Sequence, residues 1–118
     1  MIDPPEESLK YLAHLKRQTI TIDVEHDGKV YAVRYRPARM VTATAKYQEA
    51  GDTSVRAQLK LLREIIADVR IDGISAGPMR RLATTSPELL GDLAMAVGEY
   101  FEEWNRAEMA RFQDRGSE

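Results

Sequence analysis

An Asp-Gly pair between two alternating segments is the feature that most constrains this 118-residue chain. Polar and apolar residues alternate on both sides of Asp27-Gly28, from Thr19 to Arg36. Asp-Gly favours a two-residue type I′ turn, because both central residues of that turn need a positive φ. A turn here pairs Val24 with Tyr31. The sequence therefore predicts an antiparallel β-hairpin over about residues 19–36.

The predicted register gathers large apolar side chains on one face of the hairpin. They are Ile20, Ile22, Val24, Tyr31, Val33 and Tyr35. Polar and small side chains fall on the opposite face, because successive residues of a strand point to opposite sides. A two-stranded hairpin alone is marginal in water, so this apolar face must pack against other elements of the chain.

Helical patterns account for most of the remaining sequence. An Asp-Pro-Pro-Glu start at residues 3–6 predicts a short helix over about residues 4–16, and Pro37 begins a second helix that stops at Gly51. A final helix begins at Pro87. The helix between them carries an apolar stripe at helical spacing, formed by Val55, Leu59, Leu62, Ile66 and Val69.

The segment after that stripe is less regular. Residues 70–74 can form a short third strand or an extended exit, and residues 75–84 contain Gly77-Pro78, a loop signal. The predicted fold class is α+β, in which an N-terminal β-hairpin packs against three to four α-helices.

Chain length and composition bound the domain organisation. A chain of 118 residues has room for one core, so we expect a single domain over residues 1–118. The short helix at about 4–16 and a projecting segment at about 106–118 are expected at its periphery. Cysteine is absent, which excludes disulfides and thiolate metal sites.

Charge and hydropathy argue against several partners. The formal net charge is -2, from 17 basic and 19 acidic residues, which gives no overall attraction to nucleic acid or to an anionic membrane. No run approaches the ~20 apolar residues of a membrane span, and the acidic, Pro-rich N-terminus is unlike a signal peptide. We expect a cytoplasmic protein.

No catalytic constellation is visible. His14 lies on a short polar helix and His26 beside the hairpin tip, where each is expected to be a surface residue. The carboxylates of Glu99, Glu102 and Glu103 share helix turns and are typical of a solvated face. We therefore expect no enzyme, no cofactor and no metal site.

A basic cluster follows the hairpin turn. Arg34, Arg36 and Arg39 lie in a segment without acidic residues, and we predict that they form a partner-binding patch. A nucleic-acid site is the competing interpretation. A nucleic-acid site would need aromatic side chains beside the charge on which bases can stack, but Tyr31 and Tyr35 are expected to point into the core while the arginines point out.

The end of the final helix is the other predicted partner-binding surface. From Pro87 to Phe112 this helix would be about 39 Å long, more than the ~30 Å width of a small domain, so its end must project. Phe101 and Trp104 stand where the core stripe ends, and Met109 and Phe112 continue beyond it. Aromatic anchors of this kind are common in interfaces.

Two glycines on the same helix indicate a close approach. Gly91 and Gly98 lie seven residues apart with Met95 between them, and each glycine inside a helix costs about 0.5–1 kcal/mol relative to alanine. Intramolecular helix packing and a partner helix are both compatible with this spacing. Because the apolar surface exceeds what one small core covers, we also expect homo-oligomers.

In the order of its elements the chain resembles the tail assembly chaperones of long, non-contractile-tailed bacteriophages (siphophages). The resemblance covers about residues 17–105. It includes the Ile/Val hairpin around Asp-Gly at 19–36 and the Pro-started helix after it. It also includes a leucine-rich helix leading into an extended stretch at 59–74, and a Ser-Pro-Glu-Leu-Leu start at residues 86–90.

The resemblance implies a non-enzymatic function. Such chaperones coat the long tape measure protein, recruit tail-tube subunits in the host cytoplasm and leave before the virion is complete; they often self-associate. Two alternatives stay open. A tail-completion or connector protein would use a similar α+β core and remain in the particle, and a small nucleic-acid-binding regulatory module would expose the arginine cluster.

Overall fold

The computed structural model describes residues 6–116, which form a four-stranded antiparallel sheet and five helices. In chain order the elements are α1 (Glu6–Leu15), β1 (Ile20–His26), β2 (Lys29–Tyr35), α2 (Pro37–Ala50), α3 (Val55–Ile65), β3 (Ile66–Ile71), β4 (Ile74–Ser75), α4 (Met79–Thr85) and α5 (Pro87–Gly116). The strands lie in the order β1-β2-β3-β4. The α+β fold class is confirmed, whereas the predicted start of α1 at residues 3–5 lies outside the described residues.

The hairpin has the predicted register. Val24 pairs with Tyr31, and the pair His26–Lys29 closes the turn. Asp27 and Gly28 have φ of 54° and 77°, the left-handed conformations that a type I′ turn requires. Local turn chemistry therefore decides which face of both strands is buried.

Two helix boundaries also follow local signals. Helix α2 begins at Pro37 and ends at Gly51, whose φ of 68° is the left-handed C-cap that glycine accepts without strain. Helix α3 is capped by Ser54, whose hydroxyl accepts a hydrogen bond from the Ala57 N–H at 3.2 Å.

The predicted continuation of α3 to Val69 is wrong. The helix ends at Ile65, and the chain turns directly into β3, where Ile66 and Val69 are buried. This part of the sequence is rich in β-branched residues, which pack well on a pleated surface. Pairing with β2 therefore overrides the helical stripe.

A β-bulge explains why the stripe is misleading. Val33 pairs with Val69 and Tyr35 with Ile66, so two steps along β2 correspond to three along β3, and Ala67 is the extra residue. The bulge turns two residues that lie three apart, Ile66 and Val69, toward the same side of the sheet. Their spacing is that of a helix although the backbone is extended.

Residues 70–74, for which the sequence allowed a short third strand or an extended exit, contain the end of β3, a turn and the start of β4. Asp72 and Gly73, with φ of 53° and 77°, form a second two-residue turn closed by the pair Ile71–Ile74. Part of the predicted loop at 75–84 is helix α4, so the described residues contain five helices rather than three to four.

Tyr35 lies at the centre of the core. Its side chain is fully buried, with ring centroids 6.4 Å from Tyr100 and 6.5 Å from Phe101. Its hydroxyl finds no hydrogen-bond partner. Burial, and then the proximity of Tyr100, raise the pKa of Tyr35 far above its ordinary value. Among the side chains of the described residues, this hydroxyl is thus a buried polar group without a partner.

Helix α5 packs beneath the hairpin and runs antiparallel to β1. Near its start, Asp92 lies 2.5 Å from His26 at the turn end of β1. Further along, Phe101 packs against Tyr35, the β2 partner of Ile20 at the other end. At 1.5 Å per residue the 30 residues of α5 span about 45 Å, close to the longest dimension of the molecule, 48 Å.

Replacing Gly28 with valine should lower the free energy of unfolding by about 1–3 kcal/mol, because a β-branched residue is strained at positive φ. Gly28→Asn is the matched control, since asparagine tolerates this conformation and should retain most of the stability. Chemical denaturation measures both variants. Equal stability of the valine variant and the wild type would contradict the turn assignment.

Tyr35→Phe should leave the fold intact and raise the free energy of unfolding, by about 1 kcal/mol, since it removes a buried hydroxyl that has no partner. The measurement is again chemical denaturation. Tyr100→Phe, which changes a hydroxyl on a partly exposed ring, is the control. A destabilised Tyr35→Phe protein would mean that the hydroxyl is satisfied in solution.

Candidate protein-binding surfaces

Phe101 and Trp104, two of the predicted partner-binding residues, lie against the core. Phe101 is partly buried beside Tyr35, and its ring centroid lies 6.2 Å from that of Trp104. Both side chains retain partial exposure. They form the border between the core and the distal part of α5, and Phe101 contributes to the fold itself.

Phe112 packs against α1 of the same chain. Its ring centroid lies 5.3 Å from that of Tyr11 and 5.2 Å from the ring of His14. Met109, by contrast, is 40% exposed. The two segments that we expected at the periphery therefore contact each other, and Phe112 has an intramolecular partner.

Polar contacts accompany this packing. The Tyr11 hydroxyl donates to the Asn105 side-chain oxygen, and His14 Nε2 lies 2.8 Å from Glu108 Oε1. Arg111 donates to the other oxygen of Glu108. We call this group of five residues, with Phe112, the α1–α5 contact. Sequence reasoning missed Tyr11 and His14; their spacing of three residues, which puts both on one side of α1, was the available signal.

Electrostatics within the α1–α5 contact favour the charged form of Glu108. Hydrogen bonds from Arg111 and then from His14 lower the pKa of this carboxyl, although burial opposes them. Burial raises the pKa of Tyr11 to about 12; Glu108 adds to the rise and Arg111 offsets part of it. At neutral pH Tyr11 is therefore a neutral donor and Glu108 a charged acceptor.

The three predicted arginines occupy different positions in the fold. Arg34 is exposed on the sheet face opposite the core. Arg36 precedes α2 and donates to the backbone carbonyl of Glu64 at 3.1 Å, which links the start of α2 to the end of α3. Arg39 is exposed on the first turn of α2. At least one of the three thus has an intramolecular role.

The solvent side of α5 carries a stripe that the fold does not cover. We define this outer stripe as Gly91, Met95, Gly98, Glu102 and Met109, whose spacing of four, three, four and seven residues keeps them on one side of a helix. Met95 is 65% exposed. A Cβ atom added at either glycine would meet no atom within 4 Å, so packing within the chain does not explain the glycines.

Other kinds of site find little support in the described residues. Open depressions lie beside β3 and Gly77–Met79 and on the polar sheet face around Arg34. Within residues 6–116 no group of three His, Cys, Asp or Glu is placed to hold a metal ion, and no helix is long and apolar enough to cross a membrane. No family model, curated protein or solved structure matches the chain.

Acid should weaken the α1–α5 contact. Because the pKa of Glu108 is lower in the folded protein, its contribution is present above the ordinary carboxyl pKa of about 4 and is lost as the pH falls through the lower folded value. Glu108→Gln should therefore reduce the free energy of unfolding by on the order of 1 kcal/mol at pH 7 and have little effect in acid.

Denaturation of wild type and variant at both pH values measures this difference. Glu99→Gln is the control, because Glu99 is exposed and forms no ion pair with a described residue. An equal cost of Glu108→Gln at neutral and acid pH would contradict the assigned role of the charge.

Proposed function

We propose that this chain is a non-enzymatic tail assembly chaperone of siphophages. In this proposal it binds the tape measure protein, recruits tail-tube subunits in the host cytoplasm and leaves before the virion is complete. The order of elements that resembles this family supports the proposal. The outer stripe of α5 is the structural observation that carries it.

The outer stripe suits a helical client. Glycines at Gly91 and Gly98 allow another helix to approach the α5 backbone, and the flexible, polarizable side chains of Met95 and Met109 adapt to different apolar partners. A tape measure protein, which the resemblance implies is a long coiled coil, offers many similar helical faces. A surface that can pack against many different helical sequences fits such a client better than a single deep pocket does.

The loss of helix stability caused by the two glycines also supports a binding role for the outer stripe. Each glycine inside α5 weakens the helix by about 0.5–1 kcal/mol relative to alanine. Because neither position has an atom nearby that excludes a Cβ, alanine would fit the isolated chain at both. A binding role for the bare backbone accounts for residues that folding alone disfavours.

The double variant Gly91→Ala/Gly98→Ala should be more stable than the wild type, by about 1–2 kcal/mol in total, and should bind the client less well. The assay is co-expression with the tape measure protein of the same tail gene cluster, followed by measurement of how much of it stays soluble. Met95→Glu should reduce that amount as well. Val55→Glu, the same kind of change at a side chain that is 77% exposed on α3, is the matched control.

Three results would contradict the proposal. The wild-type chain could fail to keep the tape measure protein soluble, the α5 variants could work as well as wild type, or Val55→Glu could be equally impaired. Mass spectrometry of purified virions adds an independent criterion. A stoichiometric amount of this chain in the particle would instead identify a permanent tail component.

A further inference from the structure

Strand β1 lies at one edge of the sheet. Among the residues that the structure describes, it pairs with β2 alone. The pair His26–Lys29 closes a two-residue turn, and such a closing pair exchanges both of its backbone hydrogen bonds. From this pair onward, every second residue of β1 forms backbone hydrogen bonds to β2, so Thr21, Asp23 and Glu25 direct their N–H and C=O groups away from β2. The outward backbone groups of these three residues can form hydrogen bonds to a further strand.

The opposite edge of the sheet is protected. Strand β4 has only two residues, and β3 contains the bulge at Ala67. Short edge strands and bulges are common means of preventing edge pairing. Strand β1 has seven residues, and neither a proline nor a bulge interrupts it. Of the two edges, only that of β1 is long and regular enough to accept a strand.

The side chains of β1 define what a neighbouring strand must contain. On the core side, Ile20 and Ile22 are only partly buried, so apolar residues of an added strand would cover them. On the other side, Asp23 and Glu25 are exposed and form no ion pair with a described residue. Two carboxylates beside an open ladder favour Lys or Arg in the adjacent positions.

Helix α5 adds negative charge beneath the same edge. Its Asp92 contacts His26 of β1, and Glu99 and Glu103 follow Asp92 at seven and eleven residues, a spacing that returns to the same side of a helix. Both glutamates are exposed and form no ion pair with a described residue. This charge attracts a basic segment from a distance.

A second copy of this chain fits the edge poorly. Strand β1 contains the carboxylates of Asp23 and Glu25 but no Lys or Arg, so a copy of it does not supply the basic residues that this edge favours. We propose that β1 binds, by strand addition, an extended segment of another protein in which Lys or Arg alternates with apolar residues. This binding mode is independent of the outer stripe on α5.

The test uses the full chain and a synthetic peptide of about seven residues, the length of β1, that alternates Val and Lys. NMR titration measures its affinity, and amide hydrogen exchange reports the backbone contact. The N–H groups of Thr21, Asp23 and Glu25 should exchange rapidly in the free protein and become protected with the peptide. A peptide with Glu in place of Lys, and a Lys peptide N-methylated along one edge, should bind at least about tenfold more weakly.

Two variants separate backbone pairing from charge. Asp23→Pro removes an outward N–H, a change that edge strands tolerate, and should lower the affinity for the Lys peptide about tenfold or more. Asp23→Asn keeps the N–H and should lower this affinity less. Should the proline variant fold poorly, Asp23→Lys/Glu25→Lys leaves the backbone unchanged and should reverse the preference toward the Glu peptide.

The proposal is overturned by any of three results. The Lys peptide could fail to bind at roughly millimolar concentration. It could bind without protecting the three amides and with equal affinity for the Asp23→Pro and Asp23→Asn proteins, which would mean association with an acidic surface only. Protection that rises with protein concentration in the absence of peptide would show that a second copy occupies the edge.

Discussion

The register of the β1–β2 hairpin is the constraint on which the rest of the structure depends. A slip of one residue would turn every side chain of a strand to the other face. The turn at Asp27-Gly28 prevents this slip and places Val33 and Tyr35 toward the helices, where both are fully buried. Tyr35 then meets α5, and Val33 meets Val69 of β3. The packing of the helices on the sheet and the pairing of β3 with β2 therefore both depend on the conformation of this one turn.

Sequence analysis predicted the elements whose boundaries are local and failed where contacts are distant in sequence. Gly51 ends α2 through its own left-handed conformation, so this boundary was predictable. The end of α3 was not, because the bulge at Ala67 gives an extended segment the spacing of a helix. The turn at Asp72-Gly73 carries the same dipeptide as the first hairpin, but too short a strand follows for an alternating pattern to appear.

The candidate binding surfaces show a different limit of sequence reasoning. An amphipathic pattern identifies apolar positions but does not say whether the same chain or another molecule covers them. Phe112 is covered by α1 of the same chain, whereas Met95 is 65% exposed. Arg36 likewise has the sequence pattern of a surface charge, but its side chain donates a hydrogen bond to the backbone carbonyl of Glu64 in α3. The glycines of α5 were informative because their cost has no compensation within the fold.

The α1–α5 contact has a consequence for the order of events on the ribosome. Tyr11 and His14 bond to residues that lie 94 positions later in the chain. The hairpin and α2 can form while α5 is still being translated, because their contacts are closer in sequence. Helix α1 also packs against α2, but the α5 partners of Tyr11 and His14 are translated much later, so these two side chains lack those partners throughout most of synthesis.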